Sequence, residues 1–233
     1  MIFVHIGAGA GDLDPSTNFR DGFSEYVKKI KNKKEKIFVV EANPKNIEKL
    51  KKCWKDYKDV KFFNIAVTPN DYSKNNITLF FCDEDRPHFQ LLSYDKNHVK
   101  HYYPNSEIKE LRVKTIKIND FLQNNFLNLK IESFSLDIEG LDFKIFMDID
   151  LKKFNIYKFS IEYLHLNQNQ KKRVIKKFIK NGYSYYGFGI DHNNLDWLFI
   201  KKKNFWNNFI LKIFPYIHRK HYKRLNKLIR SIY

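Results

Sequence analysis

The sequence predicts an α/β fold: a mostly parallel central sheet with an antiparallel edge strand and helices on both faces. Three observations predict it. Short apolar runs closed by polar turns alternate with segments of helical periodicity, the pattern of strand–helix–strand crossovers. The last two runs lie too close together to be joined by a crossover helix, so they form an antiparallel pair at one edge. The 233 residues, 43% of them hydrophobic, are enough to bury one substantial core.

The strands are expected at 2–6 (IFVHI), 37–41 (IFVVE), 60–65 (VKFFNI), 133–138 (SFSLDI), 157–163 (YKFSIEY), 183–188 (YSYYGF) and 196–201 (DWLFIK). Between them, Phe23, Tyr26, Val27 and Ile30 keep i, i+3, i+4, i+7 spacing. Ile47 and Leu50 open a second helix after Asn43-Pro44, and Val174, Ile175, Phe178 and Ile179 mark a third. The chain therefore reads as one domain over 1–203, interrupted by a long insert at about 67–131 with extended runs at Ile77–Cys82 and Arg112–Ile118. An excursion of that length from a compact fold usually carries binding function, here selection of a substrate. Residues 204–233 form a separate basic extension.

In an open parallel sheet, ligands bind beyond the carboxyl ends of the strands, so the residues that follow each apolar run are the ones to read. The first run ends in Gly7-Ala8-Gly9-Ala10-Gly11, a stretch where backbone can approach a ligand closely. The second ends in Glu41-Ala42, a carboxylate placed to accept bonds from both ribose hydroxyls of an adenosine. The third is followed by Asn64-Ile65-Ala66-Val67, small and partly polar, suited to lie against a flat base. The fourth ends in Asp137-Ile138-Glu139-Gly140. Each signal alone is weak; their order on consecutive strands carries the weight. Asp12 and Asp14 follow the glycines before any periodic helix begins, and two acidic side chains disfavour the pyrophosphate of a dinucleotide. They suit S-adenosylmethionine, which has no phosphate and carries a cationic sulfonium and ammonium.

At this point the chain resembles the FkbM-type family of S-adenosylmethionine-dependent methyltransferases. The resemblance rests on Val4-His5-Ile6-Gly7-Ala8-Gly9-Ala10-Gly11-Asp12, Val40-Glu41-Ala42-Asn43-Pro44, Asn64-Ile65-Ala66-Val67, Thr115-Ile116-Lys117-Ile118-Asn119-Asp120-Phe121-Leu122 and Ser135-Leu136-Asp137-Ile138-Glu139-Gly140, with Ile161-Glu162 and Asn181-Gly182-Tyr183 further on. It implies a Rossmann-like class I methyltransferase fold and transfer of a methyl group to a hydroxyl of a sugar, glycan or glycoconjugate. The cofactor cradle would be Gly7, Ala8, Gly9, Gly11, Asp12, Glu41, Ala42, Asn64, Ala66 and Asp137. The family usually has an acidic residue where His5 stands. The carboxylate contact near the methionine end is then missing or falls to Asp12 or Asp14.

Methyl transfer from a sulfonium is an in-line displacement, so the protein must align the acceptor oxygen and remove its proton. Asp137 and Glu139 are the first candidates, with a carboxylate pair capping the next helix as the structural alternative. His165 could serve as the base, against a purely structural histidine, and Glu162 could bind substrate. Glu162, Asp137 and Glu139 could also surround Mg²⁺, a hard ion that takes oxygen ligands, although no spacing demands a metal.

The net charge of +17 is concentrated at one end. From Lys201 to Tyr233 ten Lys and Arg stand without one Asp or Glu; subtracting this +10 from +17 leaves +7 for the rest. The apolar residues of the extension, Phe205, Trp206, Phe209 and Ile213 before Pro215 and Ile217, Leu225 and Leu228 after it, have helical spacing. A basic amphipathic helix of this type lies on an anionic membrane or packs its apolar stripe on the body or a second subunit. Two cysteines, Cys53 and Cys82, lack metal or disulfide-framework spacing, and no run approaches a membrane span. A cytoplasmic protein, peripheral at the inner membrane surface if the extension binds lipid, is expected. Two other readings stay open: a nucleic-acid methyltransferase, supported by charge alone, and a non-catalytic module that keeps the fold.

Overall fold

The computed structural model describes residues 1–13, 21–30, 35–83, 91–138, 140–188, 196–203, 205–206 and 208–209. Its centre is a seven-stranded sheet built from β1 (Ile2–Ile6), β2 (Lys36–Val40), β3 (Val60–Phe63), β8 (Lys130–Leu136), β9 (Asn155–Glu162), β10 (Ser184–Phe188) and β11 (Asp196–Ile200). The strand order is β10-β11-β9-β8-β1-β2-β3. From β9 to β3 every pairing is parallel, while β11 runs antiparallel to both β9 and β10. The expected antiparallel pair therefore sits at one edge, but the reversed strand is the inner one, β11. The sheet reverses between β1, which continues to β2, and β8, and ligands bind at such a switch point.

Period-two alternation divides the strands between two cores. Phe3, Ile37 and Val39 face α1 (Gly22–Lys29) and α2 (Pro44–Cys53), which contribute Phe23, Val27, Ile47, Leu50 and the following Trp54. Val4, Ile6, Phe38, Val40, Phe134, Leu136, Phe159 and Ile161 face the larger core. That core is closed by α4 (Ile118–Phe126), α5 (Asp142–Asp148) and α6 (Gln168–Lys180). Local capping explains where these helices start. Asp21 accepts from the backbone of Phe23 and Ser24 ahead of α1, Asn43 caps α2 with Pro44 in its first turn, and Asn167 forms a capping box with Gln170 at α6.

The insert folds as a second sheet, in the order β4-β7-β5-β6, from β4 (Ala66–Thr68), β5 (Asn76–Cys82), β6 (Leu92–Ser93) and β7 (Ile108–Lys117). Val67, Ile77, Leu79 and Val113 belong to the larger core, so the insert is packed against the main sheet. It also carries α3 (Lys96–Tyr102). The second extended run ends one residue early, because Ile118 opens α4. The Ile118–Leu122 motif has a structural role. Ile118, Phe121 and Leu122 are fully buried, and the Asn119 side chain donates to the Asp148 carbonyl at 3.2 Å, tying α4 to the end of α5. The helical stripe expected beyond residue 209 lies outside the described residues.

The first glycine is dictated by the crossing of three strands. Gly7 has φ +81°, and a Cβ there would stand 1.5 Å from the carbonyl oxygen of Asp137. Gly182, at the end of α6, has φ +82° with nothing within 4 Å of its Cβ position. Gly182→Ala is therefore expected to cost only the left-handed backbone penalty, about 1 kcal/mol. Gly7→Ala adds a backbone collision and is expected to cost about 3 kcal/mol or more in chemical denaturation.

Candidate active site

The ends of β1, β2 and β8 are stitched together by backbone bonds. The Val40 carbonyl accepts from Gly7 N at 2.9 Å and Ala8 N at 3.1 Å, and the Ile6 carbonyl accepts from Asp137 N at 3.0 Å. This fixes the glycine loop over the edge of the sheet. Gly11 also has positive φ, +65°, and its missing side chain makes room for the Cys53 thiol, 2.8 Å from the Cβ position. The loop then lines a cleft with Glu41, Ala42, Ala66, Asp137 and residues of the insert.

Glu41 is the first residue past β2, 6% exposed, with both oxygens engaged. Oε2 accepts from Gly9 N at 2.8 Å and Oε1 from Asn43 N at 2.7 Å. Burial pushes its carboxyl up to about 7, and the donated backbone bonds oppose the shift without cancelling it. Asn64 bonds the carbonyls of Glu41 and Ala42 at 2.9 and 3.0 Å, which braces the turn that carries the carboxylate.

Just before the loop, His5 is buried and packs at a tilt of 35° against Phe23, with ring centroids 4.6 Å apart. Burial lowers its proton affinity, against the pull of Asp21, whose Oδ2 is 3.9 Å from His5 Nδ1. Asp21 thus brings a carboxylate to the place where position 5 lacks one. Ser135, Ser160 and Asp196 extend the cleft across β8, β9 and β11.

Of the residues expected in the cradle, Gly7, Ala8, Gly9, Gly11, Glu41, Ala42, Ala66 and Asp137 line this one cleft. Two do not. Asp12 turns to the Lys28 ammonium, 2.9 Å from its Oδ2, because the short 3-10 turn Gly11–Leu13 swings it toward α1. Asn64 works behind Glu41 rather than on the cleft wall. Glu139 and Asp14 lie outside the described residues. No side chain caps α5; instead Asp142, its first residue, accepts from Ile138 N at 2.8 Å and Gly140 N at 3.2 Å and holds the turn that follows β8. Among the described residues no group of three His, Cys, Asp or Glu could hold a metal ion. Glu162 and His165 pair at 3.2 Å beside the cleft rather than on its wall. Sequence reading missed Asp21, Asp196 and Tyr94. Only Asp21 left a local signal, an aspartate directly before a helix-periodic run.

The cleft's charge decides which cofactor it fits. Its described lining holds four carboxylates, Asp21, Glu41, Asp137 and Asp196, and no Lys or Arg. Such a wall repels a pyrophosphate and attracts a sulfonium and an ammonium. With Glu41 fixed beside Gly9 and no cation on the described wall, the residues present suit S-adenosylmethionine.

Comparison with known proteins agrees with this class. Residues 5–185 match the methyltransferase FkbM domain. The chain belongs to that family, and its fold is the Rossmann-like fold of S-adenosylmethionine-dependent methyltransferases. Among solved structures it is similar to PH1948 from Pyrococcus horikoshii, provisionally assigned as an RNA methyltransferase. That match has 11% identity and a TM-score of 0.40, covering 88% of this chain and 74% of the other. It is also similar to an S-adenosylmethionine-dependent methyltransferase from Aquifex aeolicus, at 11% identity and a TM-score of 0.36, covering 85% and 79%. No curated protein matches it.

Asp142 behaves like Glu41: burial, then the charge of Glu162, pushes it up to about 7. Both carboxyls are raised by folding. Their contribution to stability is therefore complete below about pH 4, and it is lost as pH rises through 7. Carboxyl carbon NMR is expected to find both titrating near pH 7; ordinary midpoints near 4 would contradict the burial.

Proposed function

We propose that the protein is an S-adenosylmethionine-dependent O-methyltransferase acting on a hydroxyl of a sugar, glycan or glycoconjugate. One observation carries the cofactor half of this reading: a cleft whose described lining holds four carboxylates and no Lys or Arg, with Glu41 pinned to the glycine loop. When bound, S-adenosylmethionine supplies an electrophilic methyl group. Glu41 would hold the ribose, Asp21 would face the amino-acid end, and Asp137, at the switch between β1 and β8, would lie beside the methyl group with Glu139 supporting acceptor contacts. Tyr94, 48% exposed on the cleft wall, offers an aromatic face of the type that packs against sugar rings. The nucleic-acid alternative gains nothing from the cleft, since basic side chains are lacking among its described residues.

Calorimetry tests this directly. S-adenosylmethionine and S-adenosylhomocysteine are expected to bind and NAD is not; failure of both sulfur compounds removes the reading. Glu41→Ala should weaken both by about tenfold or more, the worth of charge-assisted hydrogen bonds. Because the ribose bonds favour the ionised carboxyl, affinity should fall as pH drops below about 7. Methyl transfer to glycan extracts should be lost in the Asp137→Asn, Glu139→Gln double variant, and its survival would refute the catalytic placement.

The basic extension fits an anionic membrane surface, where lipid-linked glycans are assembled. No described helix is long and apolar enough to cross a membrane. Phe205, Trp206 and Phe209 are 77%, 68% and 50% exposed beside Lys201, Lys202 and Lys203, a pairing of aromatic and cationic groups that favours peripheral binding. Flotation with anionic liposomes should require residues 204–233; equal flotation after their deletion would exclude membrane binding through the extension.

A further inference from the structure

On the rim of the cleft, where the insert meets the main sheet, four titratable side chains gather that no part of the cofactor cradle uses. Glu162 ends β9 and is 8% exposed. It shares a strand face with Ser160, and its register partner on β11 is Asp196; both of those line the cleft. Its Oε1 lies 3.2 Å from Nε2 of His165. The ring of His98, on α3 of the insert, stands 4.8 Å from the His165 ring at 66°. Asp142 neighbours Glu162 closely enough for their charges to interact.

The insert is fixed to this rim by Ser93. Its Oγ is 3.2 Å from His98 Nδ1, accepts from Asp95 N at 3.1 Å, and stands 3.9 Å from the Cβ position of Gly140. The residues on either side, Leu92 and Tyr94, line the cleft. Two atoms of the cluster, Glu162 Oε2 and His98 Nε2, are buried without a hydrogen-bond partner among the described residues. Buried polar groups are nearly always paired, so two orphans in one cluster beside a ligand cleft point to a polar ligand.

We infer that Glu162, His165 and His98 form the acceptor subsite, with His165 as the base, Glu162 holding its ring, and His98 as the positioning residue that the insert contributes. The inference rests on the O-methyltransferase reading. The acceptor O–H bond breaks and its proton passes to the His165 nitrogen that does not face Glu162. The oxygen lone pair forms the bond to the methyl carbon, the C–S pair stays on sulfur, and the proton leaves later to water. Carboxylate and imidazole in contact form a base–orienter pair. His98 packs edge-on against His165 and keeps its plane. Asp95, which caps α3, and His101 on that helix, with His165 and Glu162 from the sheet side, are the charged groups around His98. Burial, then the His165 charge, lower its proton affinity.

The test uses the full chain. In ring-nitrogen NMR titrations of the complex with S-adenosylhomocysteine, His165→Gln should raise the His98 midpoint by a few tenths of a pH unit, and Glu162→Gln should lower that of His165. Unmoved midpoints in both variants would overturn the cluster. In methyl transfer to glycan extracts, His165→Gln should cost about a hundredfold or more, as for loss of a general base, with S-adenosylhomocysteine affinity unchanged. His98→Ala and His98→Phe should both shift the acid limb of the pH profile, since each removes the coupled imidazole, whereas only His98→Phe, which keeps a ring against His165, should retain kcat. Wild-type turnover in His165→Gln sinks the subsite and leaves the methyltransferase standing. Failure to bind S-adenosylhomocysteine sinks the methyltransferase reading itself.

Discussion

The site depends on how closely the backbone after β1 lies against the backbone after β8. The Gly7 Cβ position coincides with the Asp137 carbonyl, 1.5 Å away, so a bare backbone is the only solution there. That contact is held by bonds from both sides: Gly7 and Ala8 to Val40, and Asp137 to Ile6. Three strands of different sequence distance, β1, β2 and β8, are brought to one edge by these few bonds. Everything that gives the cleft its chemistry, from Glu41 to Asp137, is placed relative to that edge.

Burial then sets the electrostatics. Glu41 and Asp142 are carboxyls enclosed in protein and pushed up to about 7, at the cost of folding stability in neutral solution. His5 moves the other way and loses proton affinity, so the loop's histidine adds no positive charge to the cleft. A wall rich in carboxylates and free of Lys and Arg among its described residues is unfavourable for the apoprotein and favourable for a cationic ligand. The +17 of the chain therefore says nothing about the ligand of the cleft, because +10 of it falls in residues 201–233 and no Lys or Arg stands in the cleft's described lining.

Much of the fold was legible because its signals are local. Apolar runs of four to eight residues marked every strand of the main sheet, and the short link between the last two announced their antiparallel pairing. The second strand ended one residue sooner than expected, at Val40, although Glu41 N still donates to the Phe63 carbonyl at 3.0 Å. Of the cradle, eight residues met at one cleft because the glycine loop and the strand ends share one edge of the sheet. Asp12 stays off the cleft wall because it pairs with Lys28, sixteen positions away and invisible in the local pattern. The insert hid the most. Nothing in its sequence said that Leu92 and Tyr94 would reach the cleft, or that His98 would stand against His165, because those meetings depend on β5 and β7 pairing residues 26 (Cys82, Ile108) to 38 (Asn76, Lys114) positions apart.

We propose that Glu41 and the glycine loop hold an adenosine ribose in a cleft tuned for positive charge. A crystal structure of the full chain with S-adenosylhomocysteine is the most direct test. Both ribose hydroxyls are expected within hydrogen-bonding distance of the Glu41 carboxylate, with the amino group facing Asp21. Ligand density elsewhere, or a ribose turned away from Glu41 in this cleft, would contradict it.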